Sequence, residues 1–331
     1  MKILITGGAG FIGSYLAQKL FAMGHELTII DDLSTGNLDN LSGVLNQDGV
    51  RFFEDTIENA ALLDLCTGEA DFVFHLAAAV GVKKIIEKPI DSMHRNINCT
   101  GVVLEAAGKH NTPVLIASTS EVYGKSTRHK FCETDNLVFG ETTILRWSYA
   151  CSKAIDEYLA LAWQKHRGLP VIITRFFNCV GPGQSATYGM VIPRFMQQAM
   201  AGEDLTIFGD GSQSRCFGHV YDAVNALNML LQNHEKLYGE IFNVGALNEI
   251  TIKELAEQII ALTGSSSKIA YIDYKDVYNS QGTFEDIHRR MPDLSKIERM
   301  VGYRPRQTME DILQDVYDYL RNKDKDIPSA A

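Results

Sequence analysis

The chain has 331 residues, and its 41 acidic and 31 basic side chains give a formal net charge of −10. Hydrophobic residues make up 45% of the sequence and charged residues 22%, an ordinary globular composition that excludes disordered, collagenous and coiled-coil proteins. Because nucleic-acid surfaces are built from clustered Lys and Arg, an acidic chain without a basic run argues against nucleic acid as a partner.

Targeting and metal signals are missing from the sequence. No apolar run approaches the roughly 20 residues that span a bilayer, and the N-terminus lacks a signal-peptide core. We therefore expect a cytoplasmic protein with no membrane partner. The six cysteines form no Cys-x-x-Cys pair and the nine histidines no His-x-x-x-His pair, which predicts reduced thiols and no metal site.

Short apolar strands alternate with helical patterns through the first half of the chain. The predicted strands are Lys2–Thr6, Glu26–Ile30, Arg51–Glu54, Phe72–Leu76, Val114–Ala117 and Val171–Phe177. The predicted helices are Phe11–Met23, Ile90–Lys109 and Leu145–Arg167, the last ended by Gly168 and Pro170. This alternation predicts an α/β fold, with a Rossmann-type doubly wound parallel sheet in residues 1–180.

Beyond Gly181 the pattern becomes mixed, which predicts a smaller α/β lobe that binds the substrate. Its predicted elements are the helices Ile192–Ala201, Tyr221–Gln232, Ile252–Leu262 and Met309–Arg321 and the strand Leu205–Phe208. We assign residues 181–217 and 241–321 to this lobe. A return to the first domain is expected near residues 218–240, and residues 322–331 are expected to form a flexible tail.

A glycine-rich turn follows the first predicted strand and opens the first predicted helix. Gly7 permits the tight turn, Gly10 allows backbone to approach a pyrophosphate, and Gly13 lets helix and strand pack closely. Backbone N–H groups and the helix dipole then face the anion. Asp31 ends the second strand, where a carboxylate accepts hydrogen bonds from ribose hydroxyls and repels a 2′-phosphate. The pattern predicts NAD as the cofactor in preference to NADP.

Tyr149 and Lys153 stand four residues apart in a predicted helix, so their side chains share a face. A cation beside a phenol stabilises the phenolate and lowers its pKa, which makes a tyrosine a usable base. Thr119 follows the strand Val114–Ala117, at an edge where open α/β sheets bind ligands. Thr119 is therefore expected to hydrogen-bond the same substrate oxygen as Tyr149.

Together these residues resemble the extended short-chain dehydrogenases/reductases that modify nucleotide sugars, over the chain to about residue 320. The resemblance rests on the glycine turn, Asp31, His75–Ala78, Asn98, Thr119, Tyr149 with Lys153, and Arg175–Asn178. It implies a tightly held NAD that oxidises the sugar at C4. In that chemistry Tyr149 is the base, Lys153 holds the nicotinamide ribose and tunes Tyr149, and Thr119 assists.

The resemblance also implies binding residues. Asn178 and Arg215 match positions that hold the nucleotide diphosphate, as anion chemistry expects. The cofactor set runs from the first strand to the helix of Tyr149: Gly7, Gly10, Phe11, Ile12, Gly13, Asp31, Asp32, Ser34, Thr35, Gly36, Asp55, Thr56, Leu76, Ala77, Ala78, Asn98, Ser118, Tyr149 and Lys153.

Three segments bear on the reaction that follows oxidation. Thr119-Ser120-Glu121 resembles the Thr-Ser-Glu of UDP-glucuronate decarboxylases, which GDP-mannose dehydratases also show. Residues 146–153 are similar to the Arg-Trp-x-Tyr segment of UDP-apiose/xylose synthases, and residues 290–292 resemble an Arg-x-Pro motif of decarboxylases. A 4-ketone makes a β-keto acid of a 6-carboxylate. Arg290 is then expected as the cation near that carboxylate or as a proton donor, with Glu121 and Ser120 beside it.

The leading hypothesis is a decarboxylase acting on a UDP-hexuronate. A UDP-sugar 4-epimerase is the alternative, followed by a 4,6-dehydratase. A non-enzymatic hypothesis is an NAD-binding regulator without catalytic activity, and intact Tyr149 and Lys153 argue against it. A homodimer is also expected, because two predicted helices carry surplus apolar residues, namely Val102, Val103, Leu159 and Trp163.

Overall fold

The computed structural model describes residues 1–78, 88–187, 190–274, 276, 285 and 287–325. The strands in these ranges are β1 (Lys2–Thr6), β2 (Glu26–Asp31), β3 (Val50–Glu54), β4 (Phe72–His75), β5 (Val114–Thr119), β6 (Val171–Phe176), β7 (Asn178–Val180), β8 (Leu205–Phe208), β9 (Ser214–His219), β10 (Ile241–Val244), β11 (Glu249–Thr251), β12 (Ile269–Ile272) and β13 (Arg289–Arg290). The α-helices are α1 (Phe11–Ala22), α2 (Ala60–Glu69), α3 (Pro89–His110), α4 (Ser148–Arg167), α5 (Val191–Met200), α6 (Val220–Gln232), α7 (Ile252–Thr263), α8 (Ser295–Val301) and α9 (Met309–Lys325).

Seven parallel strands form the central sheet in the order β10-β6-β5-β4-β1-β2-β3. The sheet grows from β1 towards β3 in one direction and from β4 towards β6 in the other. In doubly wound sheets ligands bind at the carboxyl ends of the strands where the order reverses. Gly7 follows β1 and Leu76 follows β4, so the predicted glycine turn lies at this reversal.

Helices cover both faces of the sheet, as the alternating pattern predicts. On one face α1 and α6 pack over β1 and β2, with Leu16, Leu20 and Leu227 fully buried. On the other face α2, α3 and α4 pack against one another, around core residues such as Leu63 and Leu104. These faces explain why the strands read as near-continuous apolar runs, since both sides of the sheet are buried.

The smaller lobe is organised around β9. This strand pairs antiparallel with β11 and parallel with β7 and β13, while β8 and β12 form a separate parallel pair. The helices α5, α7 and α9 pack on these strands, and Phe195, Leu255 and Ile312 are fully buried between them. The lobe therefore has a core of its own beside the central sheet.

The chain returns to the large sheet further along than its sequence predicts. Residues 241–321 are predicted in the lobe, but β10 pairs in register with β6 as the edge strand of the central sheet. Leu294, Ile297 and Tyr303 also belong to the core beside α1 and α6. Tertiary pairing decides these positions, because a four-residue apolar strand carries no local sign of which sheet it joins.

The structure also differs from the prediction at the C-terminal tail and at the start of one helix. The expected tail at 322–331 begins as helix, because α9 continues through Lys325; residues 326–331 lie outside the described part of the chain. The predicted helix at 145–167 starts as a 3₁₀ turn, Leu145–Trp147, before α4 begins at Ser148. In the described ranges no helix combines the length and apolarity that a membrane crossing needs.

A buried ion pair ties α4 to the central sheet. Arg175 on β6 places Nη2 2.7 Å from Glu157 Oε2 and Nε 2.9 Å from Glu157 Oε1. The Ser118 hydroxyl at the end of β5 donates to the same carboxylate at 2.5 Å. Both charged side chains are at most 5% exposed. This geometry fixes the helix that carries Tyr149 relative to two central strands.

Glu157→Gln should lower the free energy of unfolding by about 3–5 kcal/mol, because it leaves the Arg175 guanidinium buried without its counter-ion. Glu69→Gln is the matched control, since Glu69 pairs with Arg51 at 2.6 Å on the surface. That control should cost less than about 1 kcal/mol. Urea unfolding curves of the two variants and the parent chain provide the measurement, and equal losses would contradict the assignment.

Candidate active site

The glycine turn meets the steric demands of a pyrophosphate site. Gly7 has φ of +75°, and a Cβ there would lie 2.6 Å from the backbone nitrogen of Ala77. A Cβ on Gly13 would collide with the carbonyl oxygen of Gly7. Since the first-turn N–H groups of α1 have no intrahelical acceptor, they are available to an anion at this turn. The turn therefore fits the phosphates of a dinucleotide.

Asp31 lies at the end of β2, beside the glycine turn. Its two carboxylate oxygens accept backbone N–H groups from Ala9 and Leu33, each at 2.9 Å. Burial raises the pKa of Asp31, and these backbone hydrogen bonds oppose the rise. Each oxygen keeps a second lone pair for a ribose hydroxyl. Asp32 is paired with Arg95 at 3.0 Å, so a second carboxylate stands at the same place.

A cleft of about 570 Å³ runs from this turn to the smaller lobe. Every residue predicted for catalysis or substrate binding lines it: Thr119, Ser120, Glu121, Tyr149, Lys153, Asn178, Arg215 and Arg290. Most of the predicted cofactor residues line it as well: Gly7, Gly10, Phe11, Ile12, Gly13, Asp31, Asp32, Ser34, Thr35, Asp55, Thr56, Leu76, Ala77, Ala78, Ser118, Tyr149 and Lys153.

Two predicted cofactor residues are not part of this lining. Gly36 packs behind Asp31, and a Cβ there would lie 2.9 Å from Asp31 Oδ1. Asn98 is exposed on α3, and its assignment to the cofactor site stays a prediction. The buried face of α3 instead presents Asn96, which donates to Ser152 Oγ at 3.4 Å, and Cys99, which lines the cleft. A position two residues along a helix faces a different side.

Tyr149 and Lys153 lie one turn apart on α4, as predicted, with Thr119 opposite them at the end of β5. Lys153 is buried, and its Nζ is 2.7 Å from Asp156 Oδ2. Burial raises the pKa of Tyr149, and the carboxylates of Glu121 and Asp156 raise it further. A hydrogen bond with Thr119 acts in the opposite direction. In the chain alone the pKa of Tyr149 is therefore raised overall, and Asp156 is one of the groups that raise it.

Glu121 lies in the 3₁₀ turn Ser120–Tyr123, between two arginines. Arg146 Nη1 is 2.5 Å from its Oε2, and Arg290 Nη1 is 2.7 Å from its Oε1. Burial raises the pKa of Glu121, but these guanidinium groups outweigh burial and hold it at about 2. Glu121 is therefore ionised at neutral pH and orients the two arginines rather than donating a proton.

The lobe side of the cleft carries further polar groups. Arg215 on β9 stands beside Arg290 in the register of β9 and β13, and Asn178 lies at the start of β7. The sequence analysis assigned no role to Arg194, whose guanidinium lies 4.4 Å from the ring centroid of Phe208. It also assigned no role to Arg146. Arginine three residues before the predicted base was a usable signal, whereas nothing local marks Arg194 as a cleft residue.

Comparison with known proteins gives the family. A family model described as GDP-mannose 4,6 dehydratase matches residues 4–316. The chain belongs to this dehydratase family. A UDP-N-acetyl-alpha-D-glucosaminuronate decarboxylase of Bacillus cytotoxicus is 40% identical over 329 residues, 98% of this chain and 99% of the relative. UDP-glucuronic acid decarboxylase 1 of Xenopus tropicalis is 31% identical and covers 97% of this chain and 72% of its own length.

Solved structures of similar proteins share the fold. UDP-glucuronic acid 4-epimerase from Bacillus cereus, in complex with UDP-glucuronic acid and NAD, has a TM-score of 0.88 at 26% identity and covers 98% of this chain and 100% of its own. DesIV, a dTDP-glucose 4,6-dehydratase from Streptomyces venezuelae with NAD bound, has a TM-score of 0.88 at 29% identity, with 98% of each chain covered.

These matches confirm the predicted family, the Rossmann-type fold and the prediction of an enzyme. The NAD in both solved structures agrees with the predicted cofactor. The chain is an enzyme of NAD-dependent nucleotide-sugar modification, in a family whose named relatives include decarboxylases, epimerases and dehydratases.

Asp31→Ala should weaken NAD binding and reduce its preference over NADP, because the variant lacks both the ribose acceptor and the charge that repels a 2′-phosphate. Calorimetric titration of both dinucleotides into the parent and the variant measures this. Asp64→Ala, at an exposed carboxylate paired with Lys109, serves as the control. Equal affinity of the parent chain for NAD and NADP would overturn the role of Asp31.

Proposed function

We propose that the protein decarboxylates a UDP-hexuronate through a 4-keto sugar. The observation that carries this proposal is the pair of arginines, Arg146 and Arg290, held on buried Glu121 beside Thr119. With Arg215 they bring three guanidinium groups into the lining of the cleft. Guanidinium groups suit a substrate that carries a diphosphate and a 6-carboxylate, both of which arginine binds well.

The oxidation half of the reaction falls to the residues at the ends of β5 and α4. NAD, when bound, supplies the acceptor for the hydride from C4. Tyr149 Oη takes the proton of the C4 hydroxyl, and Thr119 holds the same oxygen by a hydrogen bond. Lys153 is placed to donate to the nicotinamide ribose. The hydrogen bond between Thr119 and Tyr149 supports this arrangement, since it favours the phenolate.

The carboxylate half falls to the arginines. Once C4 is a ketone, the 6-carboxylate is that of a β-keto acid, and loss of CO₂ leaves an enolate. Arg290 binds the carboxylate and then stabilises the developing negative charge. Glu121 keeps both guanidinium groups aimed into the cleft, and the Ser120 hydroxyl lies 3.5 Å from Arg290 Nη1 as a further contact. A proton from Arg290 or from water at C5 would give a 4-keto pentose. Tyr149 would then return its proton to the C4 oxygen as the hydride held by the cofactor goes back to C4, which restores NAD and completes the decarboxylated product.

The nucleotide is proposed to lie against the lobe. Asn178 and Arg215 would bind the diphosphate, and Arg194 with Phe208 offers a cationic and aromatic surface for the base. Uracil is proposed because the named decarboxylase relatives act on UDP-sugars. Between two hexuronates, the 40% identity to the N-acetylglucosaminuronate decarboxylase favours the 2-acetamido sugar over UDP-glucuronate.

Tyr149→Phe should retain NAD and sugar binding while losing oxidation, since only the ionisable oxygen is removed. The rate of NAD reduction in a single turnover should fall by at least the ~10²–10⁴-fold that a general base contributes. Stopped-flow NADH fluorescence gives the rate, and titration calorimetry gives the binding. Tyr158→Phe on the exposed side of the same helix is the control. A Tyr149 variant that oxidises at the parent rate would remove Tyr149 from the mechanism.

A panel of UDP-sugars, with products followed by NMR and CO₂ collected, tests the reaction class. We expect CO₂ from a UDP-hexuronate. Arg290→Ala and Glu121→Gln should slow CO₂ loss and let a 4-keto sugar accumulate with NADH. Arg289→Ala is the control, because this neighbouring arginine is partly exposed and paired with Glu249 at 2.6 Å. Comparable CO₂ release by Arg290→Ala and Arg289→Ala would refute the role of Arg290.

UDP-glucuronate 4-epimerisation is the second candidate, favoured by the similarity to the Bacillus cereus epimerase. An epimerase also has to bind a 6-carboxylate, so it too accommodates the arginine pair. It breaks no bond at C6, however, and should release no CO₂. Efficient interconversion of C4 epimers without CO₂ by the parent chain would select it over the decarboxylase, whatever loss of rate the two variants show. Loss of the 6-hydroxyl from a neutral UDP- or GDP-hexose would select a 4,6-dehydratase.

We also propose a homodimer, through the two helices predicted for it. Val103 is buried, and Val102, Leu159 and Trp163 are partly buried and pack against the core of the same chain. The exposed apolar residues of α4 are Ile155 and Tyr158, at 44% and 69% exposure. Light scattering at micromolar concentration should give a dimer mass that Ile155→Asp with Tyr158→Asp reduces to a monomer. A monomeric parent chain would refute the dimer.

A further inference from the structure

Asp156 is a buried carboxylate to which the reaction above assigns no role. It lies on α4 three residues after Lys153, is fully buried, and holds the Lys153 ammonium at 2.7 Å through Oδ2. Burying a carboxylate is costly unless a cation or hydrogen bonds compensate it. Its compensation comes from a lysine that lines the cleft, which places a negative charge directly behind the predicted base.

The polar groups next to Asp156 on α3, β4 and β1 are uncharged. Thr100 on α3 favours the ionised form of Asp156 and so lowers its pKa, and the Thr100 hydroxyl oxygen is 3.3 Å from His75 Nε2 on β4. The other ring nitrogen of His75 is 2.8 Å from Thr6 Oγ1. Burial and the nearby Lys153 ammonium lower the pKa of His75 to about 3, so the imidazole is neutral. Thr6, His75 and Thr100 thus form a hydrogen-bonded, uncharged group beside the Lys153–Asp156 ion pair.

Within the described residues, the other titratable groups around the pair are compensated or neutral. Glu157, the next residue on α4, is occupied by Arg175. Glu121 and Arg290 face Tyr149 from the 3₁₀ turn and from β13, and they are paired with each other. Burial raises the pKa of the Cys99 thiol on α3 to about 12, so it stays protonated.

We propose that Asp156 is a positioning residue, which fixes the Lys153 ammonium and through its charge sets the pH range in which Tyr149 acts as a base. This inference rests on the proposed function, in which Tyr149 takes the C4 hydroxyl proton. A carboxylate beside the ammonium offsets the field with which Lys153 would otherwise favour the phenolate. Asp156 therefore makes Tyr149 a weaker acid while holding Lys153 in the geometry that the nicotinamide ribose requires.

Asp156→Asn keeps the shape of the side chain and removes its charge. In the NAD-loaded protein, the acid limb of the pH profile for single-turnover NAD reduction should move to lower pH by about one unit. The plateau rate should fall, because the ammonium loses its anchor. The second measurement uses no substrate: tyrosinate absorbance is titrated in the NAD-loaded protein, with the Tyr149→Phe signal subtracted. It should show the same downward shift.

Asp64→Asn is the matched control, because it removes a carboxylate that holds Lys109 at 2.5 Å on the surface, and it should leave both profiles unchanged. Asp156→Glu retains the charge, so its midpoint should stay at the parent value while its plateau falls. A lower plateau with an unchanged midpoint in Asp156→Asn would show a purely structural role and overturn the proposal. If circular dichroism shows that Asp156→Asn does not fold, a shifted midpoint in folded Asp156→Glu overturns it instead.

The two proposals fail in different ways. If none of the UDP-sugars in the panel leads to reduction of the NAD bound to the parent chain, the proposed function fails. The tyrosinate titration, which uses no substrate, still decides the role of Asp156. If the parent chain is active and Asp156→Asn shows the parent midpoint in both measurements, the inference about Asp156 fails and the proposed function stands.

Discussion

Two arginines from distant parts of the chain converge on one buried carboxylate, Glu121, and the shape of the cleft depends on that contact. Arg146 lies just before α4, while Arg290 lies in β13 of the smaller lobe. Because the folded pKa of Glu121 is about 2, below the ~4.3 of an unperturbed Glu, its ionisation stabilises the fold above that ordinary value. The contribution is lost as the pH falls towards 2. Through the neutral range this carboxylate holds the helix of Tyr149 and the smaller lobe in one geometry.

The same cleft contains two groups of basic side chains, and their surroundings differ. Arg146, Arg290 and Arg215 present guanidinium groups to the cleft near the smaller lobe. Lys153, on α4, is paired with Asp156 inside the protein. The basic side chains of the cleft therefore differ in their surroundings: three arginines lie near the lobe, whereas a buried lysine–aspartate pair lies near β4. An anionic sugar nucleotide and a dinucleotide can thus bind side by side without one electrostatic surface serving both.

Much of the fold and part of the site follow from local patterns. The glycine turn, Asp31 and the Tyr149 and Lys153 pair are each defined within one strand, turn or helix, and the structure places all of them along the cleft. For Asn98 the motif position alone does not decide the contact, since the direction of a side chain on α3 depends on how that helix packs. Asp156 was open to prediction, because an acidic residue three after Lys153 shares its helix face. Arg194, β10 and the two-residue β13 were not, since partners distant in sequence define them.

The position of β10 has a consequence for the order in which the molecule is made. Strand β6 ends at Phe176, but the strand that pairs with its outer edge is Ile241–Val244. During synthesis the N-terminal part of a chain emerges and folds first, so β6 is an open sheet edge while the next 64 residues, 177–240, are translated. Unpaired strand edges invite pairing with other chains. The exposed edge of β6 is covered only when β10 pairs with it. Tyr303 then stabilises the turn after β10, because its hydroxyl donates a hydrogen bond to Gly245 O at 2.8 Å.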